Sequence, residues 1–258
     1  GDTGVGAASP HLSRKGDKIV YVTTDYAPDG HPDATAKVAD LKIVDYNNRV
    51  GGTSVAVPGA SDPSFLEYYP SYSADDQLIA FTRAPTPSAA SPDGPYYNRF
   101  GQVMVIPAAG GTATPLAAND PGTCGGDNMA TGLINSWPKW SPDAFTANGK
   151  TYYFLVFSSA RKYGDDFSQQ FKLPTNPLSA FKGLNDSSQL YLAAVVVDNT
   201  TKEVKTYPAV YIWNQNRATG AAGGTGVAGL HYSNLTPAWD PIKLPPIVIP
   251  EVRNEPPK

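Results

Sequence analysis

A short motif that begins at a proline occurs four times along the chain and constrains the fold more than any other feature. The segment "PHLSRKGDKIVY", which begins at Pro10, aligns without a gap with "PSYSADDQLIAF", which begins at Pro70. A third copy begins at Pro138 as "PKWSPD", and a fourth start, "PAWDP", begins at Pro237. Internal repetition of this kind predicts an architecture in which each copy forms one supersecondary unit that packs against its neighbours.

Each complete copy has the same plan, in which a short segment ending in Ser leads through a polar turn into an apolar strand. Two further strand patterns follow, so each copy holds four short strands rich in β-branched and aromatic residues. Good amphipathic helical periods are absent. The apolar strands that follow the turns read "KIVYVTT", "QLIAFTR" and "TYYFLVFSS". This pattern predicts an all-β chain built as a β-propeller of four-stranded antiparallel blades, and a two-sheet sandwich is the alternative.

The copies resemble the WD-like repeat of the TolB-like propellers, which reads roughly Pro-x-aromatic-Ser-Pro-Asp-Gly before an apolar strand. The resemblance is carried by "WPKWSPD", "YPSYSADDQLIAFT" and "PHLSRKGDKIVYVTT", and it covers most of residues 10–240. Two copies depart from the motif, with Arg14-Lys15-Gly16 and Ala74-Asp75-Asp76 in place of Pro-Asp-Gly, and the third carries the insertion "AFTAN". The resemblance implies a fold and no particular activity, because this kind of repeat serves many roles.

Counting the copies gives three complete blades, one closing strand and a Pro-rich extended tail. These segments lie at about 10–60, 70–117 and 138–213 for the blades, 233–240 for the strand and 242–258 for the tail. Propellers typically need four or more blades, and three blades with one strand would leave open sheet edges. We therefore expect a larger ring, in which an upstream part of the same precursor or a second chain completes the last blade.

The composition excludes several classes of protein. The net charge is −3 with no block of like charge, so the chain carries no footprint for nucleic acid or an anionic membrane. No apolar run approaches the roughly 20 residues of a transmembrane helix, and the N-terminal residues do not form a signal peptide. The single cysteine, Cys124, has no partner within the chain. The turn-rich, cysteine-poor composition predicts a periplasmic, cell-surface or secreted protein of a bacterial envelope.

The sequence offers no catalytic constellation. The nucleophile elbow G-x-S-x-G is absent, and Cys124 lies in "GTCGG", a polar loop without the strand and helix that such an elbow needs. The three histidines, His11, His31 and His231, lack metal-ligand spacing. His11 falls in the inner strand of the first blade, where it could line a central channel. No catalytic residue and no metal site is therefore predicted from these groups.

One acidic loop is a weak candidate for Ca²⁺. Asp25, Asp29 and Asp33 surround a glycine in "DYAPDGHPD", and calcium prefers such oxygen ligands. The loop lacks the EF-hand spacing and the distal Glu, so a simple turn between strands is favoured. No other cofactor is predicted.

The aromatic residues divide into two groups. Four of them fall at or beside corresponding repeat positions, which favours packing between blades over a ligand platform: Tyr72, Trp137, Trp140 and Trp239. Others lie in long loops, which carry function on rigid scaffolds. The loop residues that are candidates for contacts with a protein or a sugar are Tyr96, Tyr97, Phe100 and Tyr163.

Together these observations favour a non-catalytic, extracytoplasmic β-propeller that serves as a scaffold or interaction module for a protein partner or a larger assembly. The alternative is an enzyme: a propeller lyase or hydrolase with a channel site, or the accessory propeller of a prolyl-oligopeptidase-like peptidase whose catalytic domain is absent. Carbohydrate binding through exposed tyrosines is a weaker alternative. A cluster of His, Arg and carboxylates at the channel mouth would favour the enzyme, whereas mutually packed aromatics would favour the scaffold.

Overall fold

A computed structural model of the chain describes residues 6–25, 36–87, 98, 100–120, 135–159, 189–212 and 237–239. Strands make up the regular structure, together with two one-turn 3₁₀ segments at Asn47–Arg49 and Ala117–Asn119. No α-helix occurs in these ranges, which confirms the expectation of an all-β chain. Within the same ranges no helix has the length and apolar character needed to cross a membrane.

The strands form three antiparallel units, which follow one another along the chain. The first unit consists of β1 (Gly6–Leu12), β2 (Lys18–Thr24), β3 (Ala39–Asp45) and β4 (Val55–Ala56). The second unit consists of β5 (Phe65–Tyr72), β6 (Leu78–Pro85), β7 (Gln102–Pro107) and β8 (Thr114–Pro115). The third unit consists of β9 (Ser136–Trp140), β10 (Phe145–Ala147), β11 (Lys150–Ser159), β12 (Gln189–Asp198), β13 (Val204–Thr206) and β14 (Val210–Tyr211).

The third unit keeps four strand positions although it has six strands. Both β9 and β10 pair with β11, while β13 and β14 pair with β12. Strand β10 comes from the insertion "AFTAN", for which the sequence predicted no strand. Asn148 and Gly149, with φ of 51° and 72°, form the tight turn from β10 into β11. Asn-Gly is the dipeptide that such a two-residue hairpin turn prefers, so this strand had a signal in the sequence.

The first two units belong to one eight-stranded sheet, and the third unit forms a separate six-stranded sheet. The connection between the first two is a single parallel bridge between Ala39 of β3 and Leu66 of β5. All other pairings are antiparallel. The sheets are therefore mixed only at this one junction.

The units pack face to face, and each contact surface is an apolar core. Between the first and second units the core includes Val20, Val22, Leu41, Tyr68 and Ile106. Between the second and third units it includes Leu78, Val105, Trp140, Leu155 and Phe157. Because side chains alternate across a strand, the second unit buries one face against the first unit and the opposite face against the third.

The serine of the repeat closes the turn that follows the inner strand. Ser13 Oγ accepts hydrogen bonds from the backbone N of Asp17 (3.1 Å) and Lys18 (3.0 Å). Ser73 Oγ accepts one from Leu78 N (3.0 Å) and donates one to Asp75 Oδ1 (2.8 Å). Both serines are buried, at 4% and 1% exposure, so these bonds satisfy polar groups that water cannot reach.

The proline of the repeat follows a strained residue. Ser9, Tyr69 and Trp137, each just before a repeat proline, have φ of 48°, 54° and 55°. In all three units the β-ladder shifts register at this point, between Ala8 and His11, between Tyr68 and Ser71, and between Ser136 and Lys139. A left-handed residue inside a strand produces a bulge, which bends the strand and re-aims the residues that follow it.

Candidate functional site

A cavity of about 300 Å³ lies where the inner strands of the three units meet residues 237–239. Its wall contains the residue that follows the proline in every copy of the repeat: His11, Ser71, Lys139 and Ala238. The bulges in β1, β5 and β9 direct these equivalent positions to one place. The repeat therefore builds a single shared site, which we call the central cavity.

His11 is held in one orientation by the second unit. The backbone N of Tyr72 donates to His11 Nδ1 (3.3 Å), so Nδ1 is an acceptor and the ring proton of a neutral imidazole lies on Nε2. Nε2 lies 3.4 Å from Ser71 Oγ. Burial, with a smaller contribution from the charge of Lys139, lowers the pKa of His11 from 6.5 to about 4. His11 is consequently an uncharged N–H donor at neutral pH.

Lys139 is a half-buried cation that faces the cavity. Within the part of the chain that the structure describes, its ammonium group has neither a hydrogen-bond acceptor nor a carboxylate within ion-pair distance. Burial lowers the pKa of Lys139. Its backbone oxygen accepts a hydrogen bond from Trp239 Nε1 (2.9 Å), which fixes the fourth repeat start beside β9.

Arg14 adds a second cation at the edge of the cavity. Its guanidinium donates to the backbone oxygen of Pro142 (3.0 Å), which connects the turns of the first and third units. Asp76 of the second unit accepts from the backbone N of Arg14 (2.6 Å) and of Lys15 (3.0 Å). The three turns after the inner strands are thus joined to one another around the cavity.

The carboxylates nearest the cavity, Asp75 and Asp76, accept hydrogen bonds that connect the units. Asp75 accepts a hydrogen bond from Tyr153 Oη (2.7 Å) of the third unit, in addition to the bond from Ser73. Asp76 also takes the left-handed position of the turn, with φ of 61°, where the first unit has Gly16. Asp tolerates this conformation better than most residues, which explains why the second copy lacks the consensus glycine. No Asp or Glu lines the described wall of the cavity.

Three of the four aromatics at repeat positions, Tyr72, Trp137 and Trp140, pack between units as their periodicity predicts, whereas Trp239 is 36% exposed. Trp137 meets Tyr69 edge to face, with ring centroids 4.7 Å apart. Trp140 packs on Tyr153 and donates its Nε1 hydrogen to the backbone oxygen of Ser71 (3.0 Å). Three of the four also contribute to the cavity wall: Tyr72, Trp140 and Trp239.

A buried ion pair stabilises the second unit away from the cavity. Glu67 has 0% exposure, and its carboxylate accepts from Arg83 Nε (3.1 Å) and from the backbone N of Asp62 (3.2 Å). Arg83 lies over the rings of Phe65 and Phe81, 5.0 and 5.4 Å from their centroids. Burial raises the pKa of Glu67 to about 7 against the opposing effect of Arg83.

Most of the loop candidates fall outside the described residues: Tyr96, Tyr97, Tyr163, Asp29, Asp33, Cys124, His31 and His231. Phe100 is described, is half-buried, and its backbone N donates to Asn98 Oδ1 (2.9 Å). Asp25 is exposed, and its Oδ1 accepts from the backbone N of Lys37 (3.0 Å) and Val38 (3.1 Å). These hydrogen bonds connect the end of β2 to the residues just before β3. The Ca²⁺ hypothesis and the hypothesis of binding through the loops stay predictions. Over the ranges that can be described, no group of three His, Cys, Asp or Glu residues could hold a metal ion.

Sequence reasoning placed His11 in the inner strand but missed Lys139 and Arg14. The signal for Lys139 was present, because the alignment of the copies puts it at the same position as His11 and Ser71. Arg14 gave no such signal, since it replaces the proline of the motif and reads as an exposed turn residue. Its role depends on the contact with Pro142, which lies 128 positions away in the chain.

Comparison with known proteins leaves the family open: no family model matches the chain, and no curated protein matches it. Among solved structures, it is similar to an uncharacterised protein from Dyadobacter fermentans, with 14% identity, a TM-score of 0.38, and coverage of 82% of this chain and 56% of that one. The tricorn protease matches with 12% identity and a TM-score of 0.29, over 78% of this chain and 18% of that one. The Synechocystis apocarotenoid oxygenase, as its Glu150Gln mutant, matches with 13% identity and a TM-score of 0.31, over 79% of this chain and 37% of that one. The chain thus spans less than two thirds of each of these proteins.

Proposed function

We propose that this chain is part of a non-catalytic β-propeller scaffold that binds a protein partner through the outer face of its third unit. We call this surface the open face, and it comprises Phe145, Tyr152, Phe154, Leu192 and Ala194. The partner is the remainder of the ring, supplied by the same precursor or by a second chain. The proposal keeps the TolB-like resemblance and the extracytoplasmic location predicted from the sequence.

The observation that carries the proposal is a comparison of equivalent positions in two units. Ser71 and Lys139 are equivalent positions of the repeat. Ala80 lies opposite Ser71 and Val156 lies opposite Lys139, so Ala80 corresponds to Val156. Two positions earlier in the strands, Leu78 therefore corresponds to Phe154.

On the neighbouring strands, the same register pairs Val105 of the second unit with Leu192 of the third, since they lie opposite Ala80 and Val156. Leu78 and Val105 are buried by the third unit, with 5% and 1% exposure. Phe154 and Leu192 are half-buried, and Phe145 at the margin is 52% exposed. The open face is therefore less covered than the equivalent face of the second unit, although Val156 and Val196 on the same face are buried, at 6% exposure each.

The position of Trp239 supports a further blade as the partner. Residues 237–239 repeat the start of the inner strand, and Trp239 contacts β9 through the backbone oxygen of Lys139. A blade begun by this segment would lie next to the third unit on the side of Lys139 and Val156, which is the side of the open face. Continuity with the two existing interfaces thus favours a blade over an unrelated protein.

The polar groups around the central cavity support a role without catalysis. His11 is uncharged because burial keeps its pKa near 4, and Asp75 and Asp76 are held in hydrogen bonds between turns. General acid–base catalysis needs a group that titrates near the working pH and reaches the substrate. His11 does not titrate near neutral pH, and no Asp or Glu belongs to the described cavity wall.

Mass measurements and a charged substitution on the open face test the proposal. We expect the native polypeptide to exceed 27.3 kDa or, at that mass, to form a defined complex in native mass spectrometry. Phe154→Lys should dissociate such a complex, or expose the face in a longer polypeptide, because it would bury an unpaired charge. The matched control is Val50→Lys, at a residue 82% exposed away from the open face. A 27.3 kDa polypeptide that remains a monomer at high concentration would contradict the proposal.

A further inference from the structure

The central cavity combines two cations with aromatic walls. Lys139 and Arg14 line it, His11 contributes an uncharged N–H, and no carboxylate belongs to the described lining. Trp140, which is 6% exposed, and Trp239, which is 36% exposed, belong to the same lining. Such a combination of positive charge and flat apolar surface suits an anion with an aromatic or otherwise flat apolar body.

Lys139 is the group that makes this combination informative. Partial burial of an ammonium group without a counter-charge is unfavourable, because the group loses part of its hydration. The repeat does not require a lysine here, since the equivalent positions are His11, Ser71 and Ala238. Packing between units does not require it either, because the partner of Trp239 is the backbone oxygen of Lys139 and not its side chain.

Arg14 is available for a second contact with the same anion. One terminal nitrogen of its guanidinium donates to Pro142, and no carboxylate pairs with it within the described ranges. A guanidinium presents five N–H donors in a fixed plane, so donors remain beyond the bond to Pro142. The bond itself holds the side chain in place before a ligand arrives, which reduces the entropy lost on binding.

We infer that the central cavity binds a small organic carboxylate, with its anionic group on Lys139 and Arg14 and its apolar body against Trp140 and Trp239. The cavity wall and the open face are formed by different side chains, but residues 237–239 of the wall also begin the blade that the proposed partner would complete. A cavity of about 300 Å³ is at the small end of the range for ligand sites. The ligand is therefore about the size of a single aromatic ring with a carboxylate.

Benzoate and benzamide test the inference, because they have nearly the same shape and differ in charge. By calorimetric titration we expect benzoate to bind the full chain with a Kd of about 1 mM, as its small size implies. We expect benzamide to bind at least about tenfold more weakly, since it carries no negative charge and offers one acceptor oxygen where benzoate offers two. Equal affinity for the two compounds, or no heat from benzoate at about ten times that Kd, would overturn the inference.

Inorganic phosphate is the second probe. It carries negative charge but no apolar body, so we expect it to bind more weakly than benzoate and to compete with it. Phosphate that binds as tightly as benzoate would show a simple anion site and overturn the role assigned to the two tryptophans.

Lys139→Met locates the effect in the cavity. This variant keeps the length of the side chain and removes the charge, and we expect it to weaken benzoate binding at least about tenfold. Its thermal midpoint should equal or exceed that of the native chain, so lost binding would not reflect unfolding. Lys37→Met is the matched control, since Lys37 is exposed outside the cavity and the net charge changes equally. Unchanged benzoate affinity in Lys139→Met would overturn the inference.

Phe154→Lys separates the inference from the proposed function. This variant should retain benzoate binding while it disrupts the assembly, whereas Lys139→Met should do the reverse. Loss of both properties in both variants would show that the cavity forms only within the assembly, and it would overturn the claim that this chain suffices for binding.

Discussion

Several polar groups at the interfaces between units have hydrogen-bond or ion-pair partners, whereas two polar groups at the central cavity have none among the described residues. At the interfaces, Asp75 accepts from Tyr153, Asp76 from two backbone N–H groups, and Glu67 within the second unit from Arg83. At the cavity, Lys139 has no counter-charge among the described residues and Tyr72 Oη has no hydrogen-bond partner. The difference concerns these named groups, since Thr82 Oγ1 and Ser136 Oγ, outside the described cavity wall, also lack a described hydrogen-bond partner.

Energetics make the contrast measurable. Removing one member of a satisfied buried pair leaves the other unsatisfied and is strongly destabilising. Removing a group that has no partner takes away only its own desolvation penalty, so the fold should tolerate the change or gain stability. Substitutions in the two regions should therefore shift the free energy of unfolding in opposite directions.

The largest effect is expected for Arg83→Met, because it leaves the carboxylate of Glu67 buried without a counter-charge and with the backbone N of Asp62 as its only described donor. We expect a loss of about 3–5 kcal/mol in the free energy of unfolding at pH 8, measured by urea denaturation. Burial raises the pKa of Glu67 from 4.5 to about 7, so the contribution of Glu67 itself to the free energy of unfolding is present at low pH and lost as pH rises through the folded pKa. At pH 5 the folded chain holds Glu67 protonated, and no charge needs Arg83 as its partner. The loss should accordingly be smaller at pH 5.

Arg49→Met is the control for Arg83→Met. Arg49 is exposed, and its guanidinium contacts only the hydroxyl of Tyr46 among the bonds of its side chain that are described. A change within about 0.5 kcal/mol is expected. Equal losses in the two variants would remove the distinction between paired and surface charges.

The pH dependence due to His11 is the next largest effect. Its pKa is about 4 in the folded chain and 6.5 when exposed, so the unfolded state binds more protons between these values. The free energy of unfolding should therefore rise from pH 4 to pH 6.5, by at most about 3 kcal/mol from this residue. His11→Gln should flatten that rise in denaturation curves recorded across the window.

Other charged groups also affect the pKa of His11 or the pH dependence of the free energy of unfolding. Lys139 lowers its pKa and Asp76 raises it. Glu67 contributes a slope of the opposite sign, but it does so equally in the native chain and in His11→Gln. An unchanged pH profile in His11→Gln would show that the imidazole is not kept neutral by burial.

Two Tyr→Phe substitutions, at Tyr153 and Tyr72, should have smaller effects on the free energy of unfolding, and they differ in whether the lost hydroxyl has a partner. Tyr153→Phe removes the hydrogen bond to Asp75 and should lower the free energy of unfolding by about 1–2 kcal/mol. Tyr72→Phe removes a buried hydroxyl that lacks a partner, so it should be neutral or raise stability by less than about 1 kcal/mol. Thermal and urea unfolding of both variants provide the measurement, and shifts of the same sign would contradict the contrast.

The smallest effect on stability is expected for Lys139→Met. Loss of a half-buried ammonium without a counter-charge should change the free energy of unfolding by no more than about 1 kcal/mol, in the stabilising direction. A loss of 2 kcal/mol or more would mean that the lysine stabilises the fold, and the contrast between cavity and interfaces would fail at its central residue.

The sequence predicted the strands well because aligning the copies of the repeat shows where the strand after each turn begins. The strands "KIVYVTT" and "TYYFLVFSS" match β2 and nearly all of β11, and three of the four repeat aromatics pack between units as expected. Strand β10 was missed because the insertion that forms it interrupts the motif. The blade boundaries, the closing strand, the Pro-rich tail and the number of blades in a larger ring stay predictions.

The sequence by itself determined the local features: the all-β class, the serine-closed turns and the equivalent positions of His11, Ser71 and Lys139. These follow from short-range patterns of proline, serine and apolar residues that act within about ten positions. Only the tertiary structure decided which contacts the residues at those positions make and which of them are buried. It brought Arg14 to Pro142, left Lys139 without a counter-charge among the described residues, and covered Leu78 while leaving Phe154 half-buried. Such outcomes depend on which units meet in space, and a repeat that is nearly the same in every copy does not encode which of its faces stays open.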